Sequence, residues 1–359
     1  MSITGKNTVN EIKVDERLKQ KIYVAKSKYN QNFDGECWLG RCIFLSWYCS
    51  LGNCDFCFRS TQKHKIKFPA HARRRKESIY AEAFIAKKLG WKLEFITGGY
   101  GIYDFNDLVE IAKTCSEIYE EKIWLNLGAL SKAQLEEFKP YIQGVVASVE
   151  TLEPVLHKKV APGKPLTPFE KMMTNAKELG LKRSMTIVLG LGEKINDYKY
   201  VEEWIKKYEL SRITYYALRP VKGTPYEKGP DPEYVAEWIA QTRINFPNIE
   251  IIVGSAETRI PEIHLLLEAG ANAITKIPAT KIFGTMGAKQ IHEEVKKSAR
   301  TFTSELLVMP ETNWEEELER TTLDVEMKKR VIERIHDYEK NRLAKDYKEF
   351  KQIIKEECC

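Results

Sequence analysis

Three cysteines lie close together in the run Cys49-Ser-Leu-Gly-Asn-Cys54-Asp-Phe-Cys57. Thiolates at C-x4-C-x2-C spacing can hold one metal centre. Zinc asks for a fourth ligand, and His64 and His71 are near enough in sequence to supply it. A [4Fe–4S] cluster normally takes four thiolates; with three, one iron stays open to an external ligand, which suits catalysis better than simple electron transfer. Four further motifs of turn and polar residues follow along the chain. They are Thr97-Gly98-Gly99-Tyr100, Ser148-Val149-Glu150-Thr151, Gly190-Leu191-Gly192-Glu193 and Arg219-Pro-Val-Lys-Gly-Thr-Pro225.

Each motif follows a short run rich in β-branched and aromatic residues, and amphipathic stretches separate the runs. Strands are expected near Cys42–Tyr48, Leu93–Thr97, Ile123–Leu127, Gly144–Val149, Ser184–Leu189, Arg212–Ala217, Ile249–Val253 and Ala271–Thr275. The helices between them fall near Ser78–Leu89, Phe105–Tyr119, Ser131–Phe138, Pro168–Leu179, Asp197–Tyr208, Asp231–Asn245 and Pro261–Glu268. Gly90, Gly180 and Gly270 stand where left-handed helix caps belong. This alternation assigns the chain to the α/β class and points to a (β/α)8 TIM-type barrel, with an open doubly wound sheet as the alternative. Residues 1–40 read as a helix and loop leading in, 41–286 as the barrel, and 287–359 as a C-terminal extension of two or three amphipathic helices. Barrel enzymes place their chemistry at the C-terminal ends of the strands, where all of these motifs fall.

The chain has 359 residues, 57 Lys+Arg against 51 Asp+Glu, and 43% hydrophobic residues, as an ordinary globular enzyme does. No apolar run approaches the ~18 residues of a membrane span, and the polar N-terminus lacks a secretory apolar region. A cytoplasmic, reducing setting is therefore expected, in which cysteines serve as metal ligands or free thiols. Cys37, Cys42 and Cys115 are expected to pack as free thiols, Trp204, Trp238 and Trp314 to lie in the core, and Cys358-Cys359 to form a frayed end. Seven Lys/Arg crowd between Lys63 and Lys76, more than the whole net charge of +6. This run reads as a solvated loop, or as an approach for an anionic substrate or a reducing electron-donor protein. Nucleic-acid binding is disfavoured, because Phe68 is the run's one aromatic.

Taken in order, the motifs resemble those of the radical S-adenosylmethionine (SAM) superfamily, whose signature is a three-cysteine loop after the first barrel strand. Its common spacing is C-x3-C-x2-C, and this chain carries one extra residue in the first gap. The later motifs, with LLLEAGANAI near the last strand, are similar to the biotin synthase and HydE branch. The resemblance implies that Cys49, Cys54 and Cys57 hold a [4Fe–4S] cluster, with Phe56 as the aromatic before the third cysteine. It implies that Thr97, Gly98 and Gly99 meet the SAM amino group, that Ser148 and Glu150 engage SAM, and that Gly190, Leu191 and Gly192 lie beside the adenine. Lys171 or Arg183 would stand in for the arginine that pairs with the SAM carboxylate. Tyr100, Asn126, Tyr216, Arg219, Glu257, Arg259 and Lys276 are the polar strand-end residues expected to meet substrate, and the last three suggest that it is a small anionic molecule. The stretches ETRIPEIHLLLEAGANAITKIPATK and CWLGRCIFLSWYCSLGNCDFCF most resemble the HmdB (HcgA) group, which is linked to making the pyridinol ring of the iron-guanylylpyridinol cofactor of [Fe]-hydrogenase. A HydE-like or methylornithine-synthase-like enzyme is the rival reading. A zinc-stabilised basic binding module is the alternative from another class.

Overall fold

The structure, a computed structural model, describes residues 14–343. Eight parallel strands close on themselves: β1 (Glu36–Phe44), β2 (Lys92–Thr97), β3 (Ile123–Asn126), β4 (Ile142–Glu150), β5 (Lys182–Leu189), β6 (Arg212–Ala217), β7 (Glu250–Gly254) and β8 (Ala273–Thr275). β1 pairs with β2 on one side and with β8 on the other, so the sheet is a barrel and the open alternative is excluded. A short β9 (Thr301–Phe302) extends the sheet from the start of β1. Helices cross over between successive strands and bury their apolar faces against the barrel, as parallel pairing requires.

β1 departs from expectation, running over Glu36–Phe44 instead of Cys42–Tyr48. Trp38, Leu39 and Ile43 are buried on the sheet, so pairing starts earlier than the aromatic run suggests. Beyond Phe44 the chain leaves the barrel. Leu45 still donates to the Thr97 carbonyl at 2.8 Å, but Trp47 donates to Ala72 at 3.0 Å and Ser46 bridges to Arg73. What reads as the end of a strand is the root of the cysteine loop.

The core lies between the strands and the surrounding helices, and Trp204, Trp238 and Trp314 are buried in it. Arg243, on the helix Pro232–Asn245, is fully buried. Its guanidinium donates to the carbonyls of Gly270, Pro247 and Ile249 and to Asn272 Oδ1 at 2.6–3.0 Å. Burial pulls it down to about 9, still a cation at neutral pH. Gly270 is held at φ +106°, and a Cβ there would meet the Arg243 side chain at 2.7 Å, so this residue serves both as helix cap and as the floor under Arg243.

Inside the barrel, Glu94 is completely buried. Its carboxylate accepts from Cys42 Sγ (2.8 Å), Tyr216 Oη (2.8 Å), Thr214 Oγ1 (3.1 Å) and Thr275 Oγ1. Four donors satisfy a carboxylate that would otherwise be costly to bury. Cys42 thus serves as a thiol donor, while Cys37 and Cys115 pack as buried free thiols. The helices Met286–Lys297, Trp314–Glu319 and Val325–Tyr338 follow the last barrel strand, in the stretch read from sequence as two or three amphipathic helices. The last packs against the helix Lys76–Lys88. Cys358 and Cys359 lie outside the described residues.

Candidate active site

Seven strands, and the residue that follows the eighth, deliver side chains or backbone from their C-terminal ends to one cavity of about 460 Å³. Phe44 comes from β1, Phe95 and Thr97 from β2, Asn126 from β3, and Ser148 and Glu150 from β4. Thr186 and Val188 come from β5, Tyr216 from β6, Gly254 from β7, and Lys276 follows β8. Cys49, Cys54 and Cys57 open onto the same space, and all three are free, half-buried thiols.

The cysteine loop is held from several sides. Ser50 donates to the Tyr100 carbonyl (3.0 Å), Asp55 donates to that of Val160 (3.0 Å), and the Asp55 carboxylate accepts from Tyr226 (3.0 Å). Lys63 Nζ caps the Leu51 carbonyl at 2.8 Å, and Gly52 takes the left-handed conformation beneath the Lys63 chain. Arg74 donates to the Phe44 carbonyl and pairs with buried Glu82 at 2.7 Å. Two cations of the basic run therefore brace this loop, and Lys76 pairs with Asp107 and Glu110, while Lys65, Lys67 and Arg75 face solvent.

Gly98 and Gly99 earn their place through the protein's own backbone. A Cβ on Gly99 would sit 1.7 Å from the Tyr48 carbonyl oxygen, and one on Gly98 would press on Leu45. The turn after β2 is thus packed directly beneath the cysteine loop. Glycines likewise seat two aromatic rings: Tyr100 lies over Gly128 and Tyr216 over Gly254, each closer than a Cβ would allow. Burial pushes the Tyr100 hydroxyl up, so it stays protonated and able to donate at neutral pH.

At the end of β4 a register shift between Ser148 and Glu150 carries Glu150 to φ +68°, a left-handed conformation rare for a glutamate. Its carboxylate meets Lys164 Nζ at 2.5 Å, and the two side chains are only 12% and 8% exposed. Burial alone would draw the Lys164 proton off, but Glu150, with a smaller contribution from the Cys54 sulfur, raises its pKa on balance and keeps it charged. Burial pushes the Cys54 thiol up to about 12, against the pull of Lys164. A metal bound there would take the thiolate and release that proton to solvent.

Tyr100, Asn126, Tyr216, Arg219 and Lys276 line the cavity, as do Phe56, Thr97, Gly98, Gly99, Ser148 and Glu150. Glu257 and Arg259 do not. They lie in a 3-10 turn after β7, where Glu257 is exposed and paired with Lys281 (2.8 Å), and Arg259 donates to the Pro230 carbonyl and pairs with Glu262 (both 2.7 Å). Lys171 is exposed on the helix Leu166–Glu178, outside the cavity lining. Arg183 sits at the start of β5, the end of the strand away from the cysteines, and spends its guanidinium on the carbonyls of Leu181, Tyr208 and Glu209. The structure brings neither cation to the site. Gly190, Leu191 and Gly192 form a turn whose N–H groups all donate to Glu193 at 2.7–3.2 Å. That turn does not line the cavity, although Leu191 packs with Cys54 and Phe56 in one apolar cluster.

Lys164, Arg59 and Glu94 were not anticipated from sequence. Glu94 carried a signal, an acid flanked by Leu93 and Phe95 within a strand. Lys164 sits in the Pro/Gly-rich APGKP, and Arg59 stands two residues past Cys57, where nothing local marks either one.

Three free thiols opening onto one cavity suit a cluster that takes three thiolates and leaves one iron open. Among the described residues, no three His, Cys, Asp or Glu side chains gather closely enough for one metal ion. His64 and His71 are exposed and absent from the cavity lining, so a lone zinc finds no fourth ligand there.

Residues 45–205 match the family model of the radical SAM superfamily, and residues 215–318 match that of the Biotin and Thiamin Synthesis associated domain. An uncharacterized protein of Methanocaldococcus jannaschii is 39% identical over 348 residues, covering 91% of this chain and 95% of its own. Biotin synthase of Methanococcus aeolicus is 24% identical over 174 residues, 48% of this chain and 53% of that one. Among solved structures, methylornithine synthase superposes with a TM-score of 0.65 at 19% identity, covering 81% of this chain and 90% of that one. The maturase HydG from Carboxydothermus hydrogenoformans gives 0.66 at 15%, covering 95% and 87%. At these identities the likeness bears on the fold.

Proposed function

The chain belongs to the radical SAM superfamily and is an enzyme of the biotin synthase type, whose members bind a [4Fe–4S] cluster and SAM, and from that premise we propose that Cys49, Cys54 and Cys57 hold the cluster and that the barrel mouth takes SAM with a small anionic substrate. The observation that carries this is the meeting of three unbonded thiols with the ends of seven strands and the residue after the eighth in one cavity. When bound, reduced cluster and SAM supply a 5′-deoxyadenosyl radical that takes a hydrogen atom from substrate.

The chain's own residues provide the setting. Phe56, Val160, Val188, Leu191 and Leu218 make an apolar wall beside Cys54, which keeps water from the reacting centre. The Thr97–Gly99 main chain and the Glu150–Lys164 pair offer charges of both signs to the amino and carboxylate groups of an amino-acid moiety. Lys164 thereby takes the part assigned from sequence to Lys171 or Arg183. Tyr100, Asn126, Tyr216, Arg219 and Lys276 face the space left for substrate. An electron-donor protein would approach over the exposed cations of the 63–76 run, in the cytoplasm. Among the described residues, no helix is long and apolar enough to cross a membrane.

Within this chemistry we assign the enzyme to building the pyridinol ring of the iron-guanylylpyridinol cofactor, on the motif stretches shared with the HmdB (HcgA) group. Sulfur insertion is disfavoured, since Cys37, Cys42 and Cys115 are separately buried and none lines the cavity.

Anaerobic reconstitution tests the activity. Brown, iron-loaded protein should release 5′-deoxyadenosine from SAM under a strong reductant, and Cys54→Ala should lose both iron and cleavage. A colourless, zinc-loaded protein inert toward SAM overturns the reading. Deleting the gene tests the pathway: [Fe]-hydrogenase activity should vanish and return when synthetic pyridinol is fed. Undiminished hydrogenase in the deletion strain would refute it.

A further inference from the structure

Among the Lys, Arg, Asp and Glu side chains that line the cavity, cations outnumber carboxylates. Its charged lining residues are Arg59, Glu150, Lys164, Arg219 and Lys276, and the single carboxylate, Glu150, is taken by Lys164. Arg59 and Lys276 have no carboxylate partner among the described residues, yet both are held in definite places. Arg59 Nε donates to the Ser46 carbonyl at 3.0 Å and its guanidinium lies 5.2 Å from the centre of the Phe44 ring. Its Nη2 is buried with no hydrogen-bond partner among the described residues. Lys276 adopts φ +64° at the end of β8, and its ammonium lies 5.4 Å from the same Phe44 ring and 4.8 Å from that of Tyr216. One ring thus carries two cations, and the Trp47 ring stacks on it at 6.1 Å.

A buried guanidinium N–H left unpaired, a lysine held in a left-handed conformation, and two like charges beside one aromatic ring are each unfavourable. An anion supplied by a ligand would offset all three. The flanking rings add a flat apolar surface on which a planar body can stack.

We propose that Arg59 and Lys276 form an anion subsite beside Phe44, Trp47 and Tyr216, which binds the carboxylate of a planar, conjugated substrate. The proposal rests on the reading above in taking the anion to be substrate; SAM also carries a carboxylate, and the experiment separates the two sources.

The test titrates benzoate, and its neutral isostere benzamide, into cluster-loaded protein without reductant, with and without SAM, by calorimetry. Benzoate should bind at least tenfold more tightly than benzamide, and SAM should not displace it. Lys276→Asn, in which asparagine tolerates the left-handed backbone, and Arg59→Gln should each weaken benzoate at least tenfold and leave SAM affinity within twofold. Lys276→Arg should restore benzoate binding, which separates lost charge from lost fold. Equal affinity for the two probes, or no binding of benzoate, overturns the proposal. So does a parallel loss of SAM affinity in the variants, which would give the subsite to SAM. Wild-type protein that binds benzoate but not SAM would instead break the functional assignment and leave the anion subsite standing.

Discussion

Replacing Lys164 by methionine removes half of the buried pair at the site. The charges stand 2.5 Å apart, with side chains 8% and 12% exposed. At an effective dielectric of about 20, unit charges that close attract by roughly 6–7 kcal/mol. Withdrawing each from water costs several kcal/mol, so the pair as a whole contributes little net stability. The halves are another matter. Methionine leaves the Glu150 carboxylate buried, unpaired and still fixed at φ +68°, and a lone buried charge of this kind costs roughly 3–5 kcal/mol. Urea unfolding of the cluster-free protein, followed by tryptophan fluorescence, measures this directly. Lys164→Met should lower the unfolding free energy by that amount, read as a lower midpoint at an unchanged slope. Lys164→Met/Glu150→Gln, which removes the leftover charge, should recover at least half of the loss. The single variant should also bind SAM at least tenfold more weakly. A loss below about 1 kcal/mol, or a double variant no more stable than the single one, would refute the assignment of this pair as a coupled buried ion pair.

Gly99→Ala should unseat the cysteine loop, because the new methyl would collide with the Tyr48 backbone; iron loading should fall several-fold while circular dichroism still reports the barrel. Glu82, fully buried, is driven up by burial, but Arg41 and Arg74 prevail and hold it below its ordinary 4.5. Its contribution is therefore present above about pH 4.5 and lost as pH falls through the lowered value, so Glu82→Gln should be less stable at pH 7 and show a shallower acid-side decline in urea midpoints. Arg243→Met should cost roughly 3–5 kcal/mol in the same assay, since it strips donors from several buried acceptors at once; a cost below about 1 kcal/mol would show that water replaces the guanidinium.

Much of the architecture is local and therefore readable along the chain. β6 runs over Arg212–Ala217 and the helix after β2 over Phe105–Tyr119, as periodicity predicts, because strand alternation and helix amphipathicity are short-range patterns. β1 starts and ends earlier than its sequence suggests, for an equally local reason. The aromatic, β-prone run Phe44–Tyr48 looks like strand, but pairing partners for it run out after Thr97. The glycines of the Thr97 motif were legible as a close approach, yet the approach is to the Tyr48 carbonyl, which no local pattern indicates.

The sequence by itself determined the three thiols, their place after the first strand and the order of the turns that follow, since ligand spacing and strand periodicity act over a few residues. Only the closed barrel decided which charges meet. Arg259 and Lys276 look alike as strand-end cations, but one is consumed by Pro230 and Glu262 while the other faces the cavity with no carboxylate partner among the described residues. Arg183, plausible by type, was carried to the wrong end of its strand, and Lys164 was carried to Glu150 from fourteen residues away. A side chain's charge is a property of its residue. Its partner is chosen by desolvation and reach once distant strands have closed around a common interior, and that choice is made in three dimensions.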